Sequence, residues 1–537
     1  MEELSSFKEK EVYEVVDKPL NKNLVEFRWV FDLKRNAEGK IMKYKARLVA
    51  KGYVQIEGID YYLTYSPTLK ADTMRLFLKI ASINNWNIYQ LDVNCAYLNA
   101  KLNEEVYLKI PMYGEGEGKG KVWRLKKSLY GLKQSAYEWN KEINNTLINM
   151  GLIKSNNDQC LYFKEMNGSI SGALLLYVDD ILIIGDKHFI YETKQNLMNK
   201  YKCKDIGPAK YILGIEILKD KYNNYGITQR NYTKNLVEKY LNILSSRTFE
   251  VLTPRINKLE ENEELENKTL YRSVVGALIH LYRFTRPDIT FATNLAARFS
   301  NNPKKSHTKL IIKILRYLKG TTNWGITFNK ERDFKFYTDA DYNTLINDFK
   351  SNSGYILTIG NNPISWYSKK QALTSCSTTH AEINACQVAI KNVIWTINFI
   401  NELNILHDNI INLHFYIDNK SSLRTIENRI INDQNKFYSR KVMFIADYLE
   451  EYNIKLEYIK TENNIADIFT KNLSPSKHYE FCGKIISYIT EINNKPEFIE
   501  IKRKDYKINK NDMEIEEFNA NKRDNNEIKK SNDDMEF

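Results

Sequence analysis

Short apolar and charged residues alternate along residues 25–65, beginning VEFRWVFDLKRNAEGKIMKYKARLVAKGY. This pattern predicts a hairpin with its turn at residues 36–39, followed by a further strand. Residues 72–84 carry apolar side chains at spacings of three and four after an initial aspartate, Asp72, which predicts a helix capped by that residue. Residues 133–150 show the same spacing and predict a second amphipathic helix.

Two apolar segments of the first half contain aspartates at or near their ends. Residues 87–96 (NIYQLDVNCA) predict a strand that ends near Asp92, and residues 173–185 (ALLLYVDDILIIG) predict two strands around a tight turn at Asp179 and Asp180. Aspartate is a favoured turn residue, so the pair alone is compatible with a structural role. A strand-end aspartate beside this hairpin would bring three carboxylates together, which is a ligand set suited to Mg²⁺ and to nucleotidyl transfer.

Helical spacing dominates the middle of the chain, and strands return after it. Residues 229–244 and residues 269–320 are predicted to be helical, with residues 257–268 as a solvated connector. Strands and helices alternate over residues 334–488. Residues 502–537 mix Lys, Asn, Asp and Glu with few large apolar residues, so they are predicted to be disordered.

Length and charge narrow the class of protein. At roughly 100 to 200 residues per domain, 537 residues allow several domains. The 43% hydrophobic and 27% charged residues are those of an ordinary globular chain. The excess of 79 Lys and Arg over 67 Asp and Glu gives a net charge of +12, which favours polyanionic partners, nucleic acid first.

Several classes are disfavoured. The six cysteines show no C-x-x-C pair and no Cys/His cluster at zinc spacing, so neither a disulfide framework nor a zinc site is expected. The charged N-terminus lacks the apolar region of a signal peptide. The most apolar window, residues 172–185, is shorter than the roughly 20 residues of a membrane span, so no membrane partner is expected.

Several motifs occur in one order along the chain. LDVNCAYLNAKLNEEVYLKIP, SLYGLKQSAYEWN and LLLYVDDILIIG resemble the successive polymerase motifs of copia-type long-terminal-repeat retrotransposon reverse transcriptases. YKARLVAKGYVQIEGIDYYLTYSP and YRSVVGALIHLYRFTRPDITFATNLAARFS are similar to the same family, so the resemblance covers about residues 8–481. It implies that Asp92, Asp179 and Asp180 are the catalytic ligands of two Mg²⁺ ions.

The resemblance also implies contacts with the incoming nucleotide. Tyr97, five residues after Asp92, matches an aromatic steric gate against the sugar, the alternative being an ordinary core tyrosine. Lys45, Arg47 and Lys51 lie where the family's fingers carry basic residues that bind the triphosphate, the alternative being a solvated strand face.

Further positions follow from the same resemblance. Gly131 and Gln134 occupy the segment that positions template and nucleotide, where Ala136 replaces the usual proline, and Tyr177 precedes the aspartate pair. LGIE at residues 213–216 resembles the primer-grip strand. The helix at residues 229–244 would then belong to the thumb.

A second set of carboxylates lies in the last third of the chain. The contexts TDADY, SCSTTHAEINA, YIDNKSS and NNIADIFTK resemble the copia-type ribonuclease H domain, in order. The resemblance implies that two Mg²⁺ ions bind there and activate water to cut the RNA strand of an RNA/DNA hybrid. The implied catalytic ligands are Asp339, Glu382, Asp418 and Asp467.

Three details qualify this second set. Asp341 would share a strand face with Asp339 and is its rival as first ligand. His380 stands where the family more often has an acidic residue, and we expect it to be peripheral. The segment NKFYSRKVMF lacks the histidine that the family usually carries before its last strand.

The predicted fold class is α+β and multidomain: a right-hand polymerase of fingers, palm and thumb, then an α-helical connection and a ribonuclease H-like mixed α/β domain. The predicted limits are residues 8–225 for fingers and palm, 226–268 for thumb and connector, 269–332 for the connection, 333–490 for the ribonuclease H-like domain and 491–537 for a disordered tail.

The expected function is RNA-directed DNA synthesis with degradation of the RNA strand of the hybrid. The expected partners are an RNA template, a DNA primer, RNA/DNA hybrid and dNTPs, in a cytoplasmic retrotransposon particle or the nucleus. Because no protease or integrase motif precedes the polymerase motifs, a divided or interrupted polyprotein is expected. The alternative is a catalytically inactive or co-opted relic that only binds nucleic acid. A two-metal nuclease without polymerase activity leaves the first 330 residues unexplained.

Overall fold

The computed structural model describes residues 2–35, 41–118, 120–166, 168–244, 264–342, 350–404, 413–433, 435–492 and 495–501. The predicted turn at residues 36–39, most of the predicted connector and the charged residues 502–537 lie outside this described part. None of the described helices has the length and apolar character required to cross a membrane.

The first half of the chain alternates short helices with many strands. In chain order these are α1 (Glu2–Glu9), β1 (Tyr13–Asp17), β2 (Leu24–Val25), β3 (Phe27–Arg35), β4 (Ile41–Ala50), α2 (Ala71–Ile83), β5 (Asn87–Val93), β6 (Lys101–Leu108), β7 (Lys121–Lys127), α3 (Ser135–Asn149), β8 (Ile153–Lys154), β9 (Leu161–Met166), β10 (Ser169–Tyr177), β11 (Asp180–Gly185), α4 (Lys187–Lys200), β12 (Cys203–Pro208), β13 (Tyr211–Ile212), β14 (Ile215–Lys219), β15 (Tyr225–Thr228) and α5 (Arg230–Leu244).

Three helices open the second half, and a mixed α/β region follows them. The elements are α6 (Lys268–Phe284), α7 (Thr290–Ala297), α8 (Lys305–Gly320), β16 (Trp324–Phe328), β17 (Phe334–Asp341), β18 (Asn352–Ile359), β19 (Asn362–Lys370), α9 (Thr378–Leu403), β20 (Leu413–Ile417), α10 (Lys420–Glu427), α11 (Ser439–Glu451), β21 (Lys455–Tyr458), α12 (Pro475–Ile485), β22 (Ser487–Ile492) and β23 (Lys495–Glu500).

The centre of the first half is a six-stranded sheet with the strand order β12-β5-β11-β10-β9-β8. The strands β5, β11 and β10 are antiparallel neighbours. Side chains of β10 and β11 are buried in an almost continuous run, because helices α2 and α4 pack against this sheet. The prediction of two apolar strands around an aspartate turn is confirmed, with Asp180 already on β11.

The strands β3 and β4 form the predicted hairpin. The further strand predicted after it is wrong, because residues 51–65 contain a short 3₁₀ helix, Gly52–Val54, and no strand of the sheets. The end of β4 instead meets another loop, since the backbone amide of Ala50 donates to the carbonyl of Tyr130 at 2.7 Å. Gly131 has φ +93°, and a Cβ there would lie 2.1 Å from the carbonyl oxygen of Ala50, so this close approach requires glycine.

The predicted helix at residues 72–84 is confirmed as α2, but Asp72 is not its cap. The N-cap position is Lys70, and Asp72 lies in the first turn, where its carboxylate pairs with Arg75 and accepts a hydrogen bond from Ser365 at 2.8 Å. Asp72 therefore contacts a distant segment through Ser365 and does not cap the helix.

A second six-stranded sheet joins three separate parts of the chain in the order β13-β14-β15-β16-β22-β23. Because β23 pairs antiparallel with β22, the predicted start of the disordered tail at residue 491 is wrong. The ring of Phe498 on β23 packs against Gly226 of β15, which anchors this strand. Strand structure therefore continues beyond residue 491, to Glu500.

The last sheet has the order β19-β18-β17-β20-β21. Its first three strands are antiparallel, whereas β20 is parallel to β17 and β21 is parallel to β20. Helix α9 packs on β17 and β18, and α11 packs on α9. The carboxyl ends of β17 and β20 therefore meet at one edge, covered by the start of α9.

The two halves are joined by a buried cation on α2. Arg75 is 2% exposed, and its Nε donates to the carbonyl of Ile364 at 2.6 Å while its Nη1 donates to the carbonyl of Arg283 at 2.7 Å. Its guanidinium carbon lies 3.9 Å from the ring centroid of Trp366. One side chain of the first half thus binds two segments of the second.

We expect Arg75→Met to lower the free energy of unfolding by about 3 kcal/mol, because Asp72 and two buried carbonyls lose their partner. The measurement is urea unfolding followed by circular dichroism. Arg332→Met, which changes an exposed arginine between β16 and β17, is the control and should cost less than about 0.5 kcal/mol. A loss below about 1 kcal/mol for Arg75→Met would mean that this contact does not hold the two halves together.

Candidate functional site

The N-terminal carboxylate cluster (Asp92, Asp179 and Asp180) is built by β5 and β11. Asp180 and Asp92 are directly opposite each other in the antiparallel register of these strands. The backbone amide of Val93 donates to the carbonyl of Asp179 at 2.9 Å, which ties the hairpin turn to the end of β5. Gln90 donates to Asp180 at 3.1 Å. The structure therefore brings these three aspartates together.

The turn that presents Asp179 has an unusual backbone. Val178 has φ +57°, a conformation that is unfavourable for a β-branched residue. The indole Nε1 of Trp139 on α3 donates to the carbonyl of Val178 at 2.7 Å. Packing of α3 therefore holds the turn in a strained form, as is common where a side chain must be positioned.

Charges around Asp179 come from two directions. Burial raises the pKa of Asp179, and the nearby carboxylate of Asp92 raises it further, whereas Lys45 and Arg47 lower it. Lys45 and Arg47 are two residues apart on β4 and so share a face of that strand. This face lies close enough to the carboxylates to offset part of their negative charge.

Aromatic rings line the same region. Tyr97 lies in a short 3₁₀ helix, Ala96–Asn99, and its ring centroid is 4.8 Å from that of Tyr130. Burial raises the pKa of Tyr97, and the charge of Asp179 and the neighbouring Tyr177 raise it further. The guanidinium of Arg47 lies 5.8 Å from the ring centroid of Tyr130. Tyr97 is therefore half-buried beside the carboxylates.

Two residues predicted to bind substrate have other partners. Lys51 pairs with Glu26 at 2.7 Å. Gln134 is fully buried: its Nε2 donates to the carbonyl of Asp60 at 2.9 Å, and its Oε1 accepts from Gln55 at 3.1 Å. These contacts make Gln134 a link between loops. Gly131, three residues earlier, allows the backbone to approach Ala50 closely.

In the segment predicted as a primer grip, LGIE, Leu213 and Gly214 form the turn between β13 and β14, and Ile215 and Glu216 begin β14. Glu216 is buried, and its carboxylate accepts hydrogen bonds from the Nε of Arg230 at 2.9 Å and from the backbone amide of Asn231 at 3.2 Å. His280 on α6 contacts the carbonyl of Leu213 at 3.1 Å. The turn is thus fixed against the start of α5 and the C-terminal half of α6.

The C-terminal carboxylate cluster (Asp339, Glu382, Asp418 and Asp467) lies at the edge of the last sheet. Asp339 is on β17, Asp418 follows β20 directly and Glu382 is in the first turns of α9. Ligand atoms of these three residues all lie within 4.8 Å of one another. Among the residues that the structure describes, these three form the group whose ligand atoms gather this closely, and the N-terminal cluster is less tightly gathered.

Asp467 is in the 3₁₀ helix Ile465–Phe469 and approaches the cluster together with a residue that the sequence did not single out. The Nζ of Lys471 lies 3.0 Å from Asp339 Oδ1 and 3.0 Å from Asp467 Oδ1. Lys471 comes four residues after Asp467 in the sequence. Because residues four apart in a helical turn are neighbours, this spacing was the signal from which the contact could have been predicted.

Burial and neighbouring charges disfavour the ionised form of three carboxylates in this cluster. Burial raises the pKa of Glu382 well above its usual value, and the charges of Asp339 and Asp418 raise it further. Burial and Asp339 likewise raise the pKa of Asp418, and they raise that of Asp467 to about 7. Glu382 Oε2 is buried without a hydrogen-bond partner among the described residues. Hard oxygen ligands that repel one another fit a divalent cation such as Mg²⁺.

Two further residues had been considered for this cluster. Asp341 ends β17 opposite Asn352 and is outside the compact group. The ring of His380 stacks on Tyr438 with centroids 4.6 Å apart, and burial lowers its pKa, as does the nearby Lys441. The segment NKFYSRKVMF therefore meets the start of α9 through Tyr438 and Lys441 and without a histidine of its own.

Comparison with known proteins adds relatives over most of the chain. Residues 10–256 match the family described as "Reverse transcriptase (RNA-dependent DNA polymerase)". The chain is 34% identical over 499 residues to the "Retrovirus-related Pol polyprotein from transposon TNT 1-94" of Nicotiana tabacum, a match that covers 90% of this chain and 37% of that polyprotein. The chain thus spans well under half of the length of this relative.

A shorter relative is matched over nearly all of its length. The "Putative transposon Ty5-1 protein YCL074W" of Saccharomyces cerevisiae is 31% identical over 291 residues, which are 52% of this chain and 92% of that protein. Among solved structures, a foamy viral protease-reverse transcriptase in complex with double-stranded DNA aligns with 85% of this chain and 68% of its own, at a TM-score of 0.44 and 11% identity.

Proposed function

Since the chain belongs to the family of copia-type retrotransposon Pol polyproteins, we propose that its N-terminal carboxylate cluster catalyses RNA-directed DNA synthesis. The observation that carries this proposal is the position of Asp179. The strained turn holds it beside Asp92, and the basic face of β4 lies opposite. In this arrangement the carboxylates can face the 3′ end of a primer, and the basic side chains can face the phosphates of a nucleoside triphosphate.

The roles of the residues follow from their surroundings. Asp92 and Asp179 hold the divalent cations, and Asp180 is oriented by Gln90. Lys45 and Arg47 bind the triphosphate, for which the guanidinium of arginine offers a bidentate contact. We leave Lys51 and Gln134 out of the nucleotide-binding set, because Glu26 already engages Lys51 and the loop of Gln55 and Asp60 already engages Gln134. Gly131 shapes the loop under this site, and Tyr177 supports the turn.

We further propose that the C-terminal carboxylate cluster is a ribonuclease H site that cuts the RNA strand of an RNA/DNA hybrid. Its support is the compact trio of Asp339, Glu382 and Asp418 at the edge of a five-stranded mixed sheet. Divalent ions bound by such carboxylates supply the positive charge that stabilises phosphoryl transfer in both proposed sites. Asp467 is the fourth carboxylate of this site, and Lys471 lies between it and Asp339.

The elements then take these parts in the proposed arrangement. The β3–β4 hairpin and the sheet of β1, β2, β6 and β7 form the fingers, the central six-stranded sheet forms the palm and α5 belongs to the thumb. Helices α6–α8 form the connection, together with strands of the second sheet. The ribonuclease H-like domain begins near residue 333.

One experiment tests both activities. Full-length protein with Mg²⁺ is given a DNA primer on an RNA template with dNTPs, and a labelled RNA/DNA hybrid is assayed in parallel. The proposal expects extension and cleavage. A protein that binds these nucleic acids but does neither would instead be an inactive binder. Binding should weaken steeply with salt, as contacts with phosphates do.

Tyr97→Ala is expected to admit ribonucleotides at least about tenfold more readily, relative to deoxynucleotides, than the native protein does, about 1.4 kcal/mol in relative barrier. The half-buried ring lies beside Asp179, and in the proposed site it would reject a 2′ hydroxyl by a steric clash. The measurement is the ratio of kcat/KM for the two sugars.

Tyr97→Phe is the matched control, because it keeps the ring and should keep the ratio. A core tyrosine without a gate role would slow both substrates alike when truncated. If the ratio for Tyr97→Ala stays within about twofold of the native ratio, or ~0.4 kcal/mol, Tyr97 is not the gate.

A further inference from the structure

The C-terminal carboxylate cluster contains a positive charge of its own. Lys471 Nζ lies 3.0 Å from one oxygen of Asp339 and 3.0 Å from one oxygen of Asp467, both of them buried carboxylates. The preceding residue, Thr470, donates its hydroxyl to the other oxygen of Asp339. Both oxygens of Asp339 are therefore engaged from one short segment.

The four carboxylates divide into two groups around this lysine. Asp339, Glu382 and Asp418 offer ligand atoms within 4.8 Å of one another, and Glu382 Oε2 has no hydrogen-bond partner among the described residues. Asp467 lies on the other side of the ammonium. Because a carboxylate has about four lone-pair sites, Asp339 can still join Glu382 and Asp418 in binding a divalent cation. The gap between Asp339 and Asp467 already holds the ammonium of Lys471.

We propose that Lys471 is a resident cation of the site: its ammonium takes the place of a second divalent ion between Asp339 and Asp467. The protein without substrate then binds one divalent ion, at the trio, and a second ion competes with the ammonium. This inference rests on the proposed ribonuclease H function of the cluster, and it differs from the expectation of two equivalent ions.

The chemistry of lysine suits this role. An ammonium is a compact point charge with three donors, and it can bridge two carboxylates. Its side chain is 28% exposed, so the four-carbon stem has a path toward solvent, whereas Asp339 and Asp467 are buried. Two buried carboxylates without a cation between them would repel each other, and the lysine removes that repulsion in the ion-free protein.

The test is a Mn²⁺ titration followed by electron paramagnetic resonance of the free ion. It uses the full chain carrying Asp92→Asn and Asp179→Asn, which removes the proposed polymerase ligands, and this protein is called the parent. The parent should bind one Mn²⁺ tightly. Adding Lys471→Met should give two ions, the second bound at least about tenfold more tightly than in the parent, or about 1.4 kcal/mol.

Three further variants complete the design. Lys471→Arg keeps the positive charge and should keep one tight ion. Lys471→Met together with Asp467→Asn removes both charges of this ion pair. This double variant should also bind one tight ion, because the second site has lost a carboxylate as well as the ammonium. Lys477→Met, which changes a lysine paired with Glu480 on α12, is the matched control and should equal the parent.

Thermal unfolding provides a second measurement. Mn²⁺ should raise the Tm of the Lys471→Met protein more than that of the parent, since an ion that binds only the folded state stabilises it. Equal Mn²⁺ stoichiometry and affinity in the two proteins would overturn the resident-cation proposal alone, as would two tight ions in the parent. Tight Mn²⁺ binding that survives Glu382→Gln would instead contradict the proposed ribonuclease site.

Discussion

Replacement of Asp179 by asparagine is expected to reduce primer extension at least about a thousandfold, about 4 kcal/mol in barrier, with little effect on binding of the template and primer. The substitution keeps the size of the side chain and the hydrogen bond between Val93 and the carbonyl of residue 179. It removes the negative charge that holds a divalent cation beside Asp92. Affinity for nucleic acid comes from basic residues elsewhere and should remain.

The measurement is single-turnover extension of a labelled primer, beside a filter-binding titration of the same template and primer. Glu165→Gln is the matched control, because Glu165 is an exposed carboxylate on β9 of the same sheet and its loss should leave extension unchanged. Asp92→Asn should repeat the effect of Asp179→Asn. Undiminished extension by both variants would remove the N-terminal carboxylate cluster from the mechanism.

The hairpin that carries Asp179 could be predicted because its signal is local. Apolar runs on both sides of two aspartates leave little choice but two buried strands and a turn, and the structure has β10 and β11 there. The strand ending at Asp92 was equally visible. That β5 pairs with β11 so that Asp92 faces Asp180 depends on long-range register, which no local pattern encodes.

The residues around the hairpin were less predictable. Lys45, Arg47 and Lys51 look alike in sequence, yet Lys51 belongs to an ion pair with Glu26 and only the first two act on Asp179. Gln134 reads as a polar residue in a motif, but its burial is decided by Gln55 and Asp60, which come from a different loop. Tertiary contacts, and not residue type, separate these roles.

Topology was the hardest part to predict. The second six-stranded sheet combines β15, β16 and β22, which are separated by about a hundred residues or more in the chain. A charged composition after residue 490 suggested disorder, although alternation in β23 places Phe498 against Gly226. Lys471 was part of a quoted motif, but its partner Asp339 lies 132 residues earlier, so its role required the fold.

The second large effect concerns Glu382→Gln, which is expected to reduce hybrid cleavage at least about a thousandfold and to leave primer extension within about twofold of native. Glu382, on helix α9, contributes one of three carboxylates whose ligand atoms lie within 4.8 Å, beside a sheet separate from that of Asp179. The amide is nearly the same size but carries no charge, so this trio loses a cation ligand while its packing is retained. Asp418→Asn should behave in the same way.

The same substitution separates a catalytic loss from a folding defect. In the native protein burial raises the pKa of Glu382, and repulsion by Asp339 and Asp418 raises it further. A neutral glutamine removes that repulsion, so urea unfolding without Mg²⁺ should show stability equal to or above native. Glu450→Gln, at an exposed position on α11, is the control for both assays and should change neither.

The pair of variants then assigns each activity to one cluster. Asp179→Asn should stop extension and spare cleavage, and Glu382→Gln should do the reverse, because the two clusters are built around different sheets. Cleavage that survives both Glu382→Gln and Asp418→Asn would place the ribonuclease chemistry elsewhere. A native protein that extends primers but never cuts hybrids would point to a decayed second site, with NKFYSRKVMF the first segment to restore, because it packs on the start of the helix that carries Glu382.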